Sequence, residues 1–217
     1  MELEMSKSNE YGYVPTSPAQ SRESNTGIFE VNDIVDLLNS EQWKLQDDLV
    51  LIETKNITTS TAFIDFTDLG SYNTHLLSLS DEAKATATKD FLCIRVGTDG
   101  TFKTSRYSSS FRYGGTNNSF GDDRSQAETS FNRMLQNTDN TGNANGIVWL
   151  YNIVNNETTV AHGLSFGTET GSSSTSYFHY GGWEQNEKTT HNQIRLFVED
   201  GVTNFGSLNA SLYGLQV

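Results

Sequence analysis

The sequence predicts an all-β protein: a jelly-roll-like β-sandwich of about ten strands, preceded by an extended N-terminal arm and one short helix. Three observations carry this. In the stretch 204–215, Leu208, Ala210 and Leu212 point one way and Ser207, Asn209, Ser211 and Tyr213 the other, the period of a half-buried strand. A phrase of the same grammar lies far upstream: Leu150-Tyr151-Asn152-Ile153 matches Leu212-Tyr213-Gly214-Leu215 in pattern, as suits a sandwich whose distant strands become neighbours. Gly, Ser, Thr and Asn are abundant and Pro occurs twice, a composition of strands and polar turns rather than long helices.

Taken in order, residues 1–26 are polar, carry Pro15 and Pro18, and cannot bury enough surface to fold alone. They read as an arm laid on a neighbouring subunit, with Tyr11, Tyr13 and Val14 as apolar anchors and Pro15 keeping the chain extended. Ile34, Leu37 and Leu38 then recur at helical spacing. Asn32 stands ready to cap, and Asp33 and Asp36 sit at the positive end, so a helix of two to three turns is expected before Trp43. The arm and helix form a segment 1–45, and the sandwich occupies 46–217. Strands are expected at 49–57, 61–66, 74–79, 91–97, 101–113, 146–152, 158–165, 177–180, 193–198 and 207–213. Asp99-Gly100 reads as a tight hairpin turn, and Asp200-Gly201 plays the same part before the last strand. In 193–198, Ile194, Leu196 and Val198 form one face and Gln193, Arg195 and Phe197 the other. Stretches 114–146 and 167–176 break the strand rhythm and read as long surface loops.

Composition narrows the partners. With 14 basic and 27 acidic side chains the net charge is −13, which repels phosphate backbones and anionic lipid, so neither nucleic acid nor membrane is an expected partner. The single cysteine, Cys93, lies in the apolar run Phe91-Leu92-Cys93-Ile94 and reads as a buried inert thiol. The start, Met1-Glu2-Leu3-Glu4-Met5, has no apolar h-region and does not read as a signal peptide.

Catalytic motifs are wanting. His75, His162, His179 and His191 have no metal-ligand spacing. Asp122-Asp123 with Asp139 matches no calcium loop. Glu184, Glu187 and Asp200 are a pool from which a glycosidase pair could be drawn, but any acidic protein offers as much. There is no Gly-x-Ser-x-Gly elbow. The chain is therefore expected not to be an enzyme and to need no cofactor or metal. The richest aromatic cluster is Tyr177-Phe178-His179-Tyr180-Gly181-Gly182-Trp183, and Tyr177, Tyr180 and Trp183 are the candidate ligand-binding residues.

Several phrases resemble virion structural proteins of tailed bacteriophages. They are Tyr13-Val14-Pro15, the entry run from Asn25 to Ile34 followed by Trp43, Phe63-Ile64-Asp65-Phe66-Thr67-Asp68-Leu69-Gly70, Ile94-Arg95-Val96-Gly97-Thr98-Asp99-Gly100, and Leu212-Tyr213-Gly214-Leu215. The resemblance, spread over 13–215, implies a head decoration or a tail or fibre appendage. It implies a β-sandwich, often trimeric, partnered by other virion proteins and located in the virion after assembly in the host cytoplasm. The alternative is a carbohydrate- or receptor-binding module of a tail fibre that recognises host surface glycan; a polysaccharide-degrading enzyme ranks below both.

Overall fold

A computed structural model describes residues 7–9, 12–14, 49–86, 90–117, 119–138, 142–169 and 175–215. The chain divides into two units, Met1–Asp47 and Asp48–Val217. In the first, β1 (Lys7–Asn9) and β2 (Gly12–Val14) pair antiparallel, with Asn9 opposite Gly12 and Ser8 opposite Tyr13. A short ribbon thus stands within the stretch expected to be an extended arm. Pairing lets a polar segment satisfy its own backbone without an apolar core. The expected helix, Trp43, Tyr11 and Pro15 lie outside the described residues.

The second unit is all-β, with thirteen strands and no helix among its described residues. An eight-stranded antiparallel sheet has the order β3-β15-β5-β11-β12-β13-β8-β9. Its members are β3 (Leu49–Ile57), β5 (Thr74–Lys84), β8 (Tyr107–Gly115), β9 (Phe120–Glu128), β11 (Ala144–Tyr151), β12 (Thr159–Glu169), β13 (Thr175–Gln185) and β15 (Phe205–Leu215). The second sheet runs β10-β6-β14-β4, with β7 paired to β6. It contains β4 (Phe63–Phe66), β6 (Asp90–Thr98), β7 (Thr101–Phe102), β10 (Phe131–Thr138) and β14 (Gln193–Val198). The two antiparallel sheets share one core, consistent with a β-sandwich. Leu77, Val148, Leu150 and Leu212 come from the larger sheet, and Ile64, Ile94, Phe131 and Leu196 from the smaller.

The last strand behaves as its alternation demands: Leu208, Ala210 and Leu212 are buried, and Asn209, Ser211 and Tyr213 are not. The matched phrases of β11 and β15 lie in one sheet but do not touch as strands. They flank β5, so that Trp149 and Tyr213 both face Leu76, while Tyr151 and Leu215 both face Thr74. A bulge in β5 at Asp81, with φ of 55°, reverses the face presented by the rest of that strand. Glu82 and Lys84 consequently turn inward and form a fully buried ion pair.

The stretch 114–146 is a correction. It holds β9 and β10 rather than one long loop, which supplies two of the three strands by which the body's thirteen exceed the expected ten. β9 hides from a hydrophobic pattern because neither of its faces is buried. β10 hides because register shifts and a left-handed Arg133 (φ 53°) break its alternation, leaving Phe131, Asn132, Met134 and Leu135 all buried. The expected strand 101–113 is in fact two, β7 and β8, parted around Arg106, whose φ is 63°. The loop expected at 167–176 is shorter, because β12 and β13 extend into it as far as the pair Glu169 and Thr175.

Candidate functional site

The face of the eight-stranded sheet turned away from the core is the site with the most unusual surface. It is built by cross-strand register. One row runs Ser78, Ile147, Leu164, Tyr180, Arg112, Asp122 across β5, β11, β12, β13, β8 and β9. The row beside it runs Asn145, Phe166, Phe178, Gly114, Phe120. A third runs Leu51, Tyr213, Leu76, Trp149, His162, Gly182, Ser110, Arg124. Leu164 and Phe166 are each 53% exposed, Tyr180 45%, Ile147 43%, and Phe120 72%. Phe178 stacks on Tyr180 with centroids 6.3 Å apart and meets Phe120 at 6.5 Å.

Packing explains this exposure. β12 reads Val160-Ala161-His162-Gly163-Leu164-Ser165-Phe166-Gly167, and the structure buries Ala161, Gly163, Ser165 and Gly167 while presenting Val160, His162, Leu164 and Phe166 outward. The inner side has little room. A Cβ on Gly163 would sit 2.8 Å from the Ile147 carbonyl oxygen, and one on neighbouring Gly146 would strike the Leu135 side chain at 2.4 Å. β12 thus hides its small residues and shows its large ones, the reverse of an ordinary half-buried strand. β11 is apolar on both faces, with Val148 and Leu150 inside and Ile147, Trp149 and Tyr151 outside, the composition of a strand covered on both sides.

At the β8–β9 end the outward positions become small and polar. A depression of about 980 Å³ opens there, bordered by Ser108, Ser110, Gly182, Glu184, Arg124 and Gln126. Next to it His162 stacks on Tyr151 at 5.6 Å, with Nδ1 3.2 Å from the tyrosine hydroxyl. A smaller hollow of about 340 Å³ lies between Trp149, His162, Leu164 and Tyr180. Arg112 beyond Tyr180 is held above its usual pKa by hydrogen bonds to Asp122 and Tyr180.

The three aromatic candidates do not converge. Tyr180 lies on this outer face. Trp183 points into the core, 4% exposed, and its indole N–H donates to the Asn132 carbonyl at 2.7 Å. Tyr177 shares the parity of Trp183 and so lies on the opposite face of β13 from Tyr180. Tyr13 and Val14 are placed only as β2 backbone opposite Ser8 and Lys7. What the sequence reading missed is Ile147, Leu164, Phe166 and Phe178. The signal was present, as large apolar residues alternating with Gly, Ala and Ser.

The remaining ionisable candidates are engaged singly. Glu187 pairs with Lys103 at 3.0 Å, which lowers its pKa. Asp200 accepts the backbone N–H groups of Val202 and Thr203 at 2.9 and 2.8 Å. Asp122 and Asp123 point to opposite faces of β9 and pair with Arg112 and Arg133 respectively. Among the described residues no group of His, Cys, Asp and Glu is placed to hold a metal ion. His75, His179 and His191 are buried, and His75 Nε2 lies 2.8 Å from the Leu69 carbonyl oxygen. Burial pushes the Cys93 thiol up to about 12, far from a nucleophile's range.

The arrangement therefore gives the described residues an all-β fold with an exposed apolar sheet face and a polar hollow at its border. Comparison with family models, with curated proteins and with solved structures finds no match.

Proposed function

We propose that this chain is a structural component of a tailed-phage particle, anchored through its N-terminal residues and displaying the β-body on the particle surface as a head decoration or a tail or fibre appendage. It would work as a homotrimer among other virion proteins, after assembly in the host cytoplasm, and without enzymatic activity. The observation that carries the reading is β12, whose large residues face outward as if another protein surface were meant to cover them. The phrases that resemble virion proteins fall on β4, on β6 with its turn, and on the end of β15.

A jelly-roll likeness is part of the same proposal. Early strands pair with late ones, β3 and β5 with β15, and β4 and β6 with β14, the wrapped connectivity of such rolls. Tyr11, Tyr13, Val14 and Pro15 are the proposed particle anchors. Removing residues 1–26 should leave a folded, soluble chain that is absent from purified particles; normal incorporation of that truncation would end the anchoring claim.

A second reading, a carbohydrate-binding module, is favoured by one observation, the polar hollow whose border residue Gly182 pairs with His162, with Trp149 next along the same cross-strand row and lining the adjoining smaller hollow. Planar Arg124, Gln126 and Glu184 side chains suit sugar hydroxyls, and an aromatic face suits a sugar ring. A glycan array probed with the full chain and with Trp149→Ala decides this, since the reading requires binding by the first and its loss in the second.

A further inference from the structure

We infer that the outer face of β11, β12 and β13 is the surface on which a neighbouring copy of this same chain sits. The inference deepens the multimeric part of the proposal above and rests on it, but it does not depend on the particle.

The exposed area is large. Ile147, Leu164, Phe166, Phe178, Tyr180 and Phe120 expose from about a third to nearly three quarters of their surface. At roughly 200 Å² per large side chain this makes an apolar patch on the order of 600 Å². That reaches the top of the ~300–600 Å² range for the largest patch on a typical monomer and is about three quarters of the ~800 Å² that each partner gives to a standard interface.

Strand composition agrees. A strand is apolar on both sides when both sides are covered, and β11 is such a strand with only one side covered by its own body. Small residues on the inner side of β12 are fixed by contact, as at Gly163, so its large residues face outward by construction. All of the patch but Phe120 lies on three consecutive antiparallel strands, which makes it a preformed surface rather than a loop that folds on contact.

Charge selects the occupant. The chain carries a net charge of −13, so two copies repel over most of their surfaces. In the two apolar rows the charged members are Arg112 and Asp122, which neutralise one another. Copies meeting here bring no unpaired carboxylates together. A basic partner would instead be drawn to the acidic surface elsewhere and gain no electrostatic advantage from this patch.

The test is the mass of the full chain in solution. Sedimentation of the wild-type protein should give a multiple of 24.1 kDa, three copies if the trimer holds. Leu164→Glu and Phe166→Glu should each reduce the mass to that of one chain, with the far-ultraviolet circular dichroism of the wild type. Where a glutamate variant does not fold, Leu164→Ser combined with Ile147→Thr reads the same contact more mildly. A wild-type chain that sediments as a monomer overturns the inference, as does an assembly that persists in the folded variants. Binding of immobilised glycan through this face by a monomeric chain overturns it as well. Failure of the particle reading looks different, because the assembly would form and depend on Leu164 while the chain stays out of purified particles.

Discussion

At the scale of single residues, β14 shows how far alternation alone can be trusted. Ile194, Leu196 and Val198 form the inner face, as their spacing requires, and Arg195 takes the outer one. Spacing gives no hint of what Arg195 does there. Its guanidinium is held bidentate by Asp65 at 2.7 and 2.6 Å, and its plane lies over the rings of Phe63 and Phe102 at 4.0 and 4.1 Å. Lysine keeps the charge but neither the fork nor the flat face, so Arg195→Lys should lower stability by about 1–2 kcal/mol in chemical denaturation. His179 makes a second prediction. Burial, aided by the nearby Arg133 charge, holds its pKa down at about 4, and His191 is likewise held at about 4 by burial and the Lys103 charge. Unfolded histidine titrates near 6.5, so between about pH 6.5 and 4 the unfolded chain binds more protons than the folded one. Stability is therefore full above about pH 6.5 and falls as pH drops towards 4. The fall should be shallower in His179→Phe, whatever that variant's absolute stability, when unfolding free energy is measured at intervals across this range.

At the scale of elements, most strands were legible and their faces were not always so. The hairpin at Asp99-Gly100 was legible because its chemistry is local: Asp99 has φ of 50° and Gly100 of 83°, the left-handed pair that such a turn needs. Gly100→Ala meets no atom within 4 Å, so its effect is conformational alone and should cost about 1 kcal/mol in thermal or chemical unfolding. β9 was not legible, because a strand exposed on both faces has no apolar period. β12 misleads most. Period 2 is present, yet the side that packs inward is set by what other strands leave room for: a Cβ on Gly163 would meet the Ile147 carbonyl oxygen and Val148 of β11, while Phe131, Met134 and Leu135 of β10 fill the core. That is a long-range fact, and no window of sequence contains it. Gly163→Ala should accordingly cost about 1–3 kcal/mol, because the new methyl group meets backbone rather than a side chain that can swing aside. The candidate site was hidden for the same reason. The aromatic run 177–183 drew attention to Trp183, while the face on which the consecutive strands β11, β12 and β13 carry Ile147, Leu164 and Tyr180 is settled by the core packed against their other face.

At the scale of the whole molecule, the decisive feature is that late strands are inserted between early ones. β15 lies between β3 and β5, and β14 between β4 and β6. Residues separated by some 150 positions, such as Thr54 and Ser211 with hydroxyls 2.9 Å apart, must meet before either sheet is continuous. Loop closure over such distances is slow, so the body should fold late in synthesis, once its last strand is available. Without that strand β3 has no neighbour, β5 becomes an open edge, and the buried Leu208, Ala210 and Leu212 leave the core. Unpaired strand edges and missing core side chains both favour aggregation over folding. A chain ending at Asn204 should therefore collect in the insoluble fraction on expression and, if refolded, show no cooperative thermal transition. The chain lacking residues 1–26 keeps every pairing of both sheets and should melt cooperatively near the full-length midpoint. A cooperative transition in the chain ending at Asn204 would mean that β3 and β5 find another arrangement, and the claim that β15 closes the larger sheet would fail.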